Sequence, residues 1–422
     1  MTHYSILSSN VKRGIMRFTE RISEGLSRPK FKFIAQMVYG ILSAQSCHLS
    51  EIGRALNEKC SLKKTIDRLS RNLSSFKDGE TLQGNYMEKV KAAVSEKTLL
   101  IIDGSDIIKL YSPKMEYITK VYDGSTGQIG EGYQTLGVTA LTPERKMPIS
   151  VYTRVYSAAE PGFISEDDEV LKAIDYLGKH FKKTNIRVFD RGYDANVYYE
   201  RLIGRSEAFV IRAKKNRDVI YKDERINILA VAKRFKGKYS LKFRKKNGAK
   251  ADCKKSIVPV SLPCKPDAKL NLVICNGLGQ EPLMLLTNLA SDDARLPVVI
   301  TKVYLLRWRI EEFYRFKKNQ LDFEDFRVRS LRSIRNLDLL VTIAVGWIGL
   351  ISEKCNERAM TMELIQHSQR IYDIPNFVFY AIADGLFCLA TRAGYGINNM
   401  LRKKAKSSQL SFLPDLGFSC SA

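Results

Sequence analysis

Residues 97–110, KTLLIIDGSDIIKL, decide how the rest of the chain is read. Leu99, Leu100, Ile101 and Ile102 form an unbroken apolar run that stops at Asp103-Gly104-Ser105, a turn signal. Such a run reads as a strand buried on both faces, as in a sheet with helices packed on either side. Going forward, YQTLGVTAL (133–141) and MPISVYTRVYS (147–157) are β-branched runs separated by the turn TPERK. A helix follows in EDDEVLKAIDYLGKHFK (166–182), a strand in NIRVFD (185–190), a helix in DANVYYERLIG (194–204) and a strand in AFVIRAK (208–214). Three strands in succession, then alternating helix and strand, predict an α/β fold with a mixed sheet flanked by helices.

The flanks differ in texture. Residues 1–95 read as a helical N-terminal domain, with KFKFIAQMVYGIL (30–42) as its core helix. His48–Leu56 and SLKKTIDRLSRNL (61–73) predict two helices joined by a short turn. Ser61 is placed to cap the second, whose exposed face would carry Lys63, Lys64, Arg68 and Arg71. That layout suits either a helix-turn-helix in a DNA major groove or a plain helical hairpin. From 215 to about 290, strand-like pieces (LKFRKK, SIVPVSL, LNLVICN) and Pro/Gly turns interrupt the alternation and close with PLMLLTNL. They predict a β-rich insertion within a body spanning 96–353, followed by a helical C-terminal region, 354–422, ending in a Ser-rich stretch.

Composition narrows the function. With 45% hydrophobic residues in 422, the chain has the means to bury real cores and is not a disordered polyelectrolyte. Its net charge of +24 is unevenly placed: Arg205–Lys255 holds 18 Lys/Arg against 5 Asp/Glu. A basic lobe with Lys245 and Lys246 at its centre, interleaved with Phe235, Tyr239 and Phe243, is the footprint expected for a nucleic-acid backbone with stacking residues. The eight cysteines lack a CxxC pair, and the long intervals between Cys253, Cys264 and Cys275 do not suit a zinc knuckle. Reduced thiols in a cytoplasmic protein are expected. The most apolar run, LLVTIAVGWIGLI (339–351), is too short to span a bilayer and reads as a buried helix, so no membrane partner is expected.

Chemistry concentrates elsewhere. In YLLRWRIEEFYRFKK (304–318), Tyr304, Arg307, Glu311 and Lys318 follow the spacing Y-x2-R-x3-E-x6-K. On a helix they fall within roughly 40–60° of one another, opposite Leu306, Ile310, Phe313 and Phe316. A phenol, a guanidinium, a carboxylate and an ammonium on one stripe suit a polyanionic substrate beside a metal ion; a solvated helix face is the plain alternative. Asp103 and Asp190 each end an apolar strand, where open α/β sheets place ligand-binding groups. With Glu311 they would make three carboxylates that favour Mg²⁺ or Mn²⁺, and two such ions can drive phosphodiester chemistry. Asp106 competes with Asp103 for the first position, and Asp190 or Asp194 has the alternative of capping the next helix.

These elements, in order, resemble a known family. LLIIDGSD, VFDRGYD followed by FVIRAK, the LLLTNL segment and the Y-R-E-K set look like the bacterial insertion-sequence DDE transposases, from about residue 97 to 353. The resemblance implies an RNase H-like catalytic domain and a metal triad of Asp103, Asp190 and Glu311. It also implies phosphate contacts from Tyr304, Arg307 and Lys318, and DNA contacts from Arg212 and Lys214. The expected partners are double-stranded DNA, as transposon ends and target, and a second copy in a synaptic homodimer. Some relatives cut through a DNA hairpin and stack a flipped base on a tryptophan of the insertion. Here the tryptophans, Trp308 and Trp347, lie outside it, leaving Tyr221, Phe235, Tyr239 or Phe243 for stacking and Trp308 for packing. A related nuclease without strand transfer and a catalytically silent DNA-binding regulator are the competing readings.

Overall fold

The computed structural model describes residues 3–109, 114–124, 126–142, 147–244, 250–290, 293–353, 358–368, 377–394 and 396–402. The expected TPERK turn lies mostly outside these residues, and so do Lys245, Lys246 and the Ser-rich end. Five helices open the chain: α1 (His3–Ile22), α2 (Arg28–Ala44), α3 (Leu49–Leu56), α4 (Leu62–Ser75) and α5 (Gly79–Lys91). α2 is the core helix its sequence predicts, with Phe33, Ile34, Val38 and Ile41 buried and Pro29 in the first turn, where a missing N–H costs nothing. Gly53 of α3 lets α4 approach closely: a Cβ there would stand 2.9 Å from Leu62. Ser61 holds the N-cap position of α4, but its side chain makes no cap bond.

The sheet begins with β1 (Leu99–Ile108), β2 (Thr119–Tyr122), β3 (Ile129–Leu141) and β4 (Pro148–Tyr156). Then come α6 (Glu166–His180), β5 (Arg187–Phe189), α7 (Asn196–Gly204) and β6 (Phe209–Arg212). β4, β3 and β1 are antiparallel neighbours, while β1, β5 and β6 run parallel, giving the RNase H-like arrangement expected from the sequence. α6 starts where Ser165 accepts the Asp168 N–H at 3.1 Å, ahead of four acidic residues that suit the positive end of the helix dipole. β1 does not stop at Asp103. Its antiparallel pairing with β3 continues to Ile108↔Gly132, so only its parallel pairing with β5 ends at Ile102↔Phe189.

The basic segment supplies β7 (Asp218–Tyr221), β8 (Glu224–Asn227), α8 (Ile228–Lys233), β9 (Tyr239–Arg244), β10 (Lys250–Leu262), β11 (Lys265–Asn276) and β12 (Leu283–Thr287). It does not form a separate sheet. β12 pairs antiparallel with β6, and β11 and β10 continue outward, extending the same sheet to twelve strands.

After the sheet come α9 (Leu296–Leu306), α10 (Trp308–Arg315), a π-helical turn over Phe316–Gln320 and α11 (Leu331–Glu353). α12 (Arg358–Gln366), α13 (Phe379–Ala393) and α14 (Asn398–Arg402) follow. α11 matches the apolar helix expected over 330–353: Leu331–Ser352 meets the length and composition of a membrane span, yet 94% of its apolar 18-residue window is buried against the rest of the chain. It packs on β4, α2 and α4, so one core joins the N-terminal helices to the sheet.

Candidate active site

Register brings the first two carboxylates together. Because Ile102 and Phe189 are the last partners of the parallel ladder, Asp103 and Asp190 are the next residues on adjacent strands, at the carboxyl edge of the sheet. Past Asp190 the chain turns through a 3₁₀ segment, Arg191–Tyr193. Glu311 arrives from α10. The polar stripe is not carried by one straight helix: α9 ends at Leu306, and the Arg307 N–H bonds the Tyr304 carbonyl at 3.0 Å, a tightened turn. Tyr304 therefore lies on α9, Arg307 at the junction, Glu311 on α10 and Lys318 in the π-turn. Ile310, Phe313 and Phe316 are buried as their pattern predicts, while Leu306 is half-buried. The polar side of the stripe faces the sheet edge, not solvent; Tyr304 is 7% and Arg307 8% exposed.

Arg307 is the hub. Its guanidinium meets Asp103 at 2.7 Å, Glu311 at 2.6 Å and Asp190 at 4.0 Å. Tyr304 donates its hydroxyl to Asp190 at 2.7 Å, and Arg212 stands 3.9 Å from the same carboxylate. Burial pushes the Asp103 carboxyl up to about 7, with Arg307 opposing and Asp190 and Glu311 adding to the rise. Burial also acts against ionised Asp190, but Arg307 and the Tyr304 hydroxyl outweigh it and hold the group below the ordinary aspartate range. Burial drives the Tyr304 phenol up to about 12, and the neighbouring Asp190 charge reinforces it. Two adjacent carboxyls are thus driven in opposite directions at a sheet edge, the pattern sought in a candidate functional site.

The residue alternatives separate. Asp106 pairs with Lys318 at 3.2 Å and accepts the Gly124 N–H at 3.4 Å, and Lys318 also reaches Glu324 at 2.8 Å. Asp103 is thus the β1 acid beside Asp190 and Glu311, and Lys318 is held a step away from them. Asp194 is buried and serves structure: it accepts the Tyr199 hydroxyl at 2.8 Å and the Lys214 N–H at 2.6 Å, and pairs with Arg217. Lys214 is half-buried just beyond β6, and Lys63 and Lys64 are exposed on α4. Arg68 departs from expectation. It turns inward to Glu58 at 2.9 Å and Gln36 at 2.7 Å, so it ties α4 to α2 instead of facing outward. Among the aromatic residues of the basic segment, Tyr221 packs edge-on against Phe235 with ring centres 6.3 Å apart. Trp308 is 45% exposed, not packed away.

A divalent ion suits the donor set, with one condition. Three carboxylates supply hard oxygen ligands, and they already surround a cation, the Arg307 guanidinium. With that group among them, no cluster of three or more His, Cys, Asp or Glu among the described residues stands close enough to share one ion. The Arg307 guanidinium takes the carboxylate oxygens that a metal ion would need.

Two features were missed in the sequence. Tyr314 donates its hydroxyl to the Asp103 carbonyl at 2.7 Å. The clue was Gly137, a glycine inside a β-branched strand, which marks a close approach. The second is Lys317, buried against Asp338 of α11; a lone acid at the head of an apolar helix was its signal.

The transposase DDE domain model matches residues 95–347 of the chain. No curated protein sequence matches it. Among solved structures, the cryo-EM structure of the piggyBac transposase synaptic complex with hairpin DNA aligns with a TM-score of 0.46 at 10% identity, over 94% of this chain and 81% of that one.

Proposed function

Because this chain belongs to the transposase DDE domain family, we propose that it binds the terminal inverted repeats of an insertion sequence of the Y-R-E-K type and carries out metal-dependent cleavage and strand transfer. The observation that carries this reading is the meeting of Asp103, Asp190 and Glu311 around one buried cation. Domains of this family generally use divalent metal ions. Asp103, Asp190 and Glu311 would hold one or two Mg²⁺ or Mn²⁺ ions, which when bound supply an activated water or 3′-hydroxyl and charge for the leaving oxygen. The remaining steps belong to the chain itself. Arg307 neutralises the carboxylates at rest, and its planar fork equally fits two phosphate oxygens. Arrival of a phosphodiester gives it that second partner, so the same side chain guards the site and then grips substrate. Tyr304 stays a donor at neutral pH and can direct its hydroxyl to a phosphate oxygen in place of Asp190. Lys318 adds a point charge from the π-turn. The exposed Lys63 and Lys64 on α4, and the basic lobe with Arg212, Lys214, Lys245 and Lys246, lie in segments suited to the DNA backbone. Synapsis of two ends calls for a homodimer.

Labelled duplex carrying the repeats that flank the coding sequence, incubated with Mg²⁺ and supercoiled target, separates the readings. Joined products with the repeat end attached to target are expected. Cuts that ignore the repeats and leave nothing joined would mean a nuclease.

A further inference from the structure

We propose that Tyr314 is a positioning residue that sets the span between Glu311 and Asp103, and with it the size of the cation pocket. The proposal rests on the reading of these carboxylates as metal-holding. Tyr314 lies one helical turn after Glu311 on α10 and is 8% exposed, out of reach of any substrate. Its hydroxyl donates to the Asp103 main-chain carbonyl at 2.7 Å and accepts from the Gly137 N–H. Asp103 and Gly137 are direct cross-strand partners in β1 and β3. The phenol therefore sits on the sheet face over this cross-strand pair, in the space a side chain at 137 would fill. Only glycine leaves room for it: a Cβ at 137 would stand 2.5 Å from the Tyr314 oxygen and 3.2 Å from its ring.

The far side of the same segment is fixed as well. Lys317, three residues further on, is buried against Asp338, bonds Thr342 at 3.1 Å, and Thr153 of β4 bonds Asp338 at 2.5 Å. α10 is thus pinned to β1 and β3 through Tyr314, and the π-turn that follows it to α11 and β4 through Lys317. Side-chain orientation alone would leave Glu311 free to swing. The phenol ties the helix that carries Glu311 to the backbone of Asp103 itself, so the separation of two ligands becomes a property of one hydrogen-bonded ring.

Mn²⁺ binding to the full chain, read from loss of the free-ion electron paramagnetic resonance signal, tests this for wild type, Tyr314→Phe and Gly137→Ala. Phe keeps the ring and removes the bridge; Ala keeps the hydroxyl and displaces it. Both are expected to weaken Mn²⁺ binding by about 10–100-fold, the scale for supporting partners of metal ligands. In cleavage, Mg²⁺ should lose more than Mn²⁺, because Mg²⁺ tolerates distorted ligand sets poorly. Wild-type affinity and an unchanged Mg²⁺-to-Mn²⁺ ratio in a folded Tyr314→Phe would overturn the proposal. Should Tyr314→Phe melt below the assay temperature, Gly137→Ala decides by the same two readings. A wild-type chain that takes up no Mn²⁺ would instead overturn the metal reading on which the strut depends.

Discussion

Arg307 shows how much depends on one side chain. It is 9% exposed at the side chain and carries its charge into a cluster of three acids, which raise its proton affinity although burial works against the charged form. Above pH 7, where Asp103 is ionised, removing Arg307 leaves that carboxylate buried without its counterion, and breaking one half of such a pair costs about 3–5 kcal/mol. Arg307→Ala should therefore melt earlier than wild type in EDTA, and Mg²⁺ should restore more of its stability than it adds to wild type, since the ion replaces the lost cation; calorimetry with and without Mg²⁺ checks both. Asp103 makes a second prediction. With its folded value raised from 3.8 to about 7, the native state keeps a proton that the unfolded chain has already lost. Stability in EDTA should fall as pH rises from about 4 to 7, by at most roughly 4 kcal/mol. Asp103→Asn should flatten that part of the urea-denaturation profile, and a slope equal to wild type would contradict the assignment. Residue type, spacing and the family resemblance singled out Asp103, Asp190, Arg307 and Glu311, with Asp106 and Asp194 as rivals that only the folded geometry sets apart. The role of Arg307 as internal counterion was not legible, because spacing along a helix says which side chains share a face and not what that face meets.

Elements carry the next level of detail. The stripe over 304–318 was legible as helix, but its break at Arg307 and its π-turn were not, because no Pro or Gly marks them. The π-turn lets neighbouring lysines serve opposite duties, Lys317 inward on Asp338 and Lys318 on Asp106. β1 was read one half too short for a similar reason. Asp-Gly-Ser looks like a turn locally, yet β3 offers ladder partners through Ile108. On α4 the structure divides the four cations that one exposed face had been expected to hold. Lys63→Gln with Lys64→Gln should leave the melting temperature within a degree or two and reduce the salt slope of DNA binding by about 2, one for each phosphate no longer neutralised. Arg68→Ala should do the reverse. It removes the tie to Glu58 and Gln36, so it should lower thermal stability and leave the salt slope alone. Titrations at several salt concentrations beside melting curves distinguish the two behaviours.

At the scale of the molecule, one sheet joins two kinds of surface. Its central strands hold the carboxylate edge, and its outer strands β7, β8 and β9, with the start of β10, come from the segment with the densest positive charge. Sequence alone announced the basic segment and its β texture, but β12 bridging it to β6 could not be read, since strand pairing across so long an insertion leaves no local pattern. The consequence is structural continuity: the basic strands connect through β11, β12 and β6 to β5, which Asp190 directly follows. The N-terminal helices join from the other side through α11, so the helical, basic and carboxylate-bearing regions share one framework. Everything proposed for this framework depends on the carboxylates acting through a metal. Cleavage of labelled DNA bearing the flanking inverted repeats, in Mg²⁺ and in EDTA, by wild type and Glu311→Gln, tests that most directly. Cuts at the repeat ends by wild type in Mg²⁺, absent in EDTA and absent in Glu311→Gln while that variant still binds the repeats, are the predicted result. Cleavage by Glu311→Gln at the wild-type rate, or cleavage undiminished in EDTA, would contradict it.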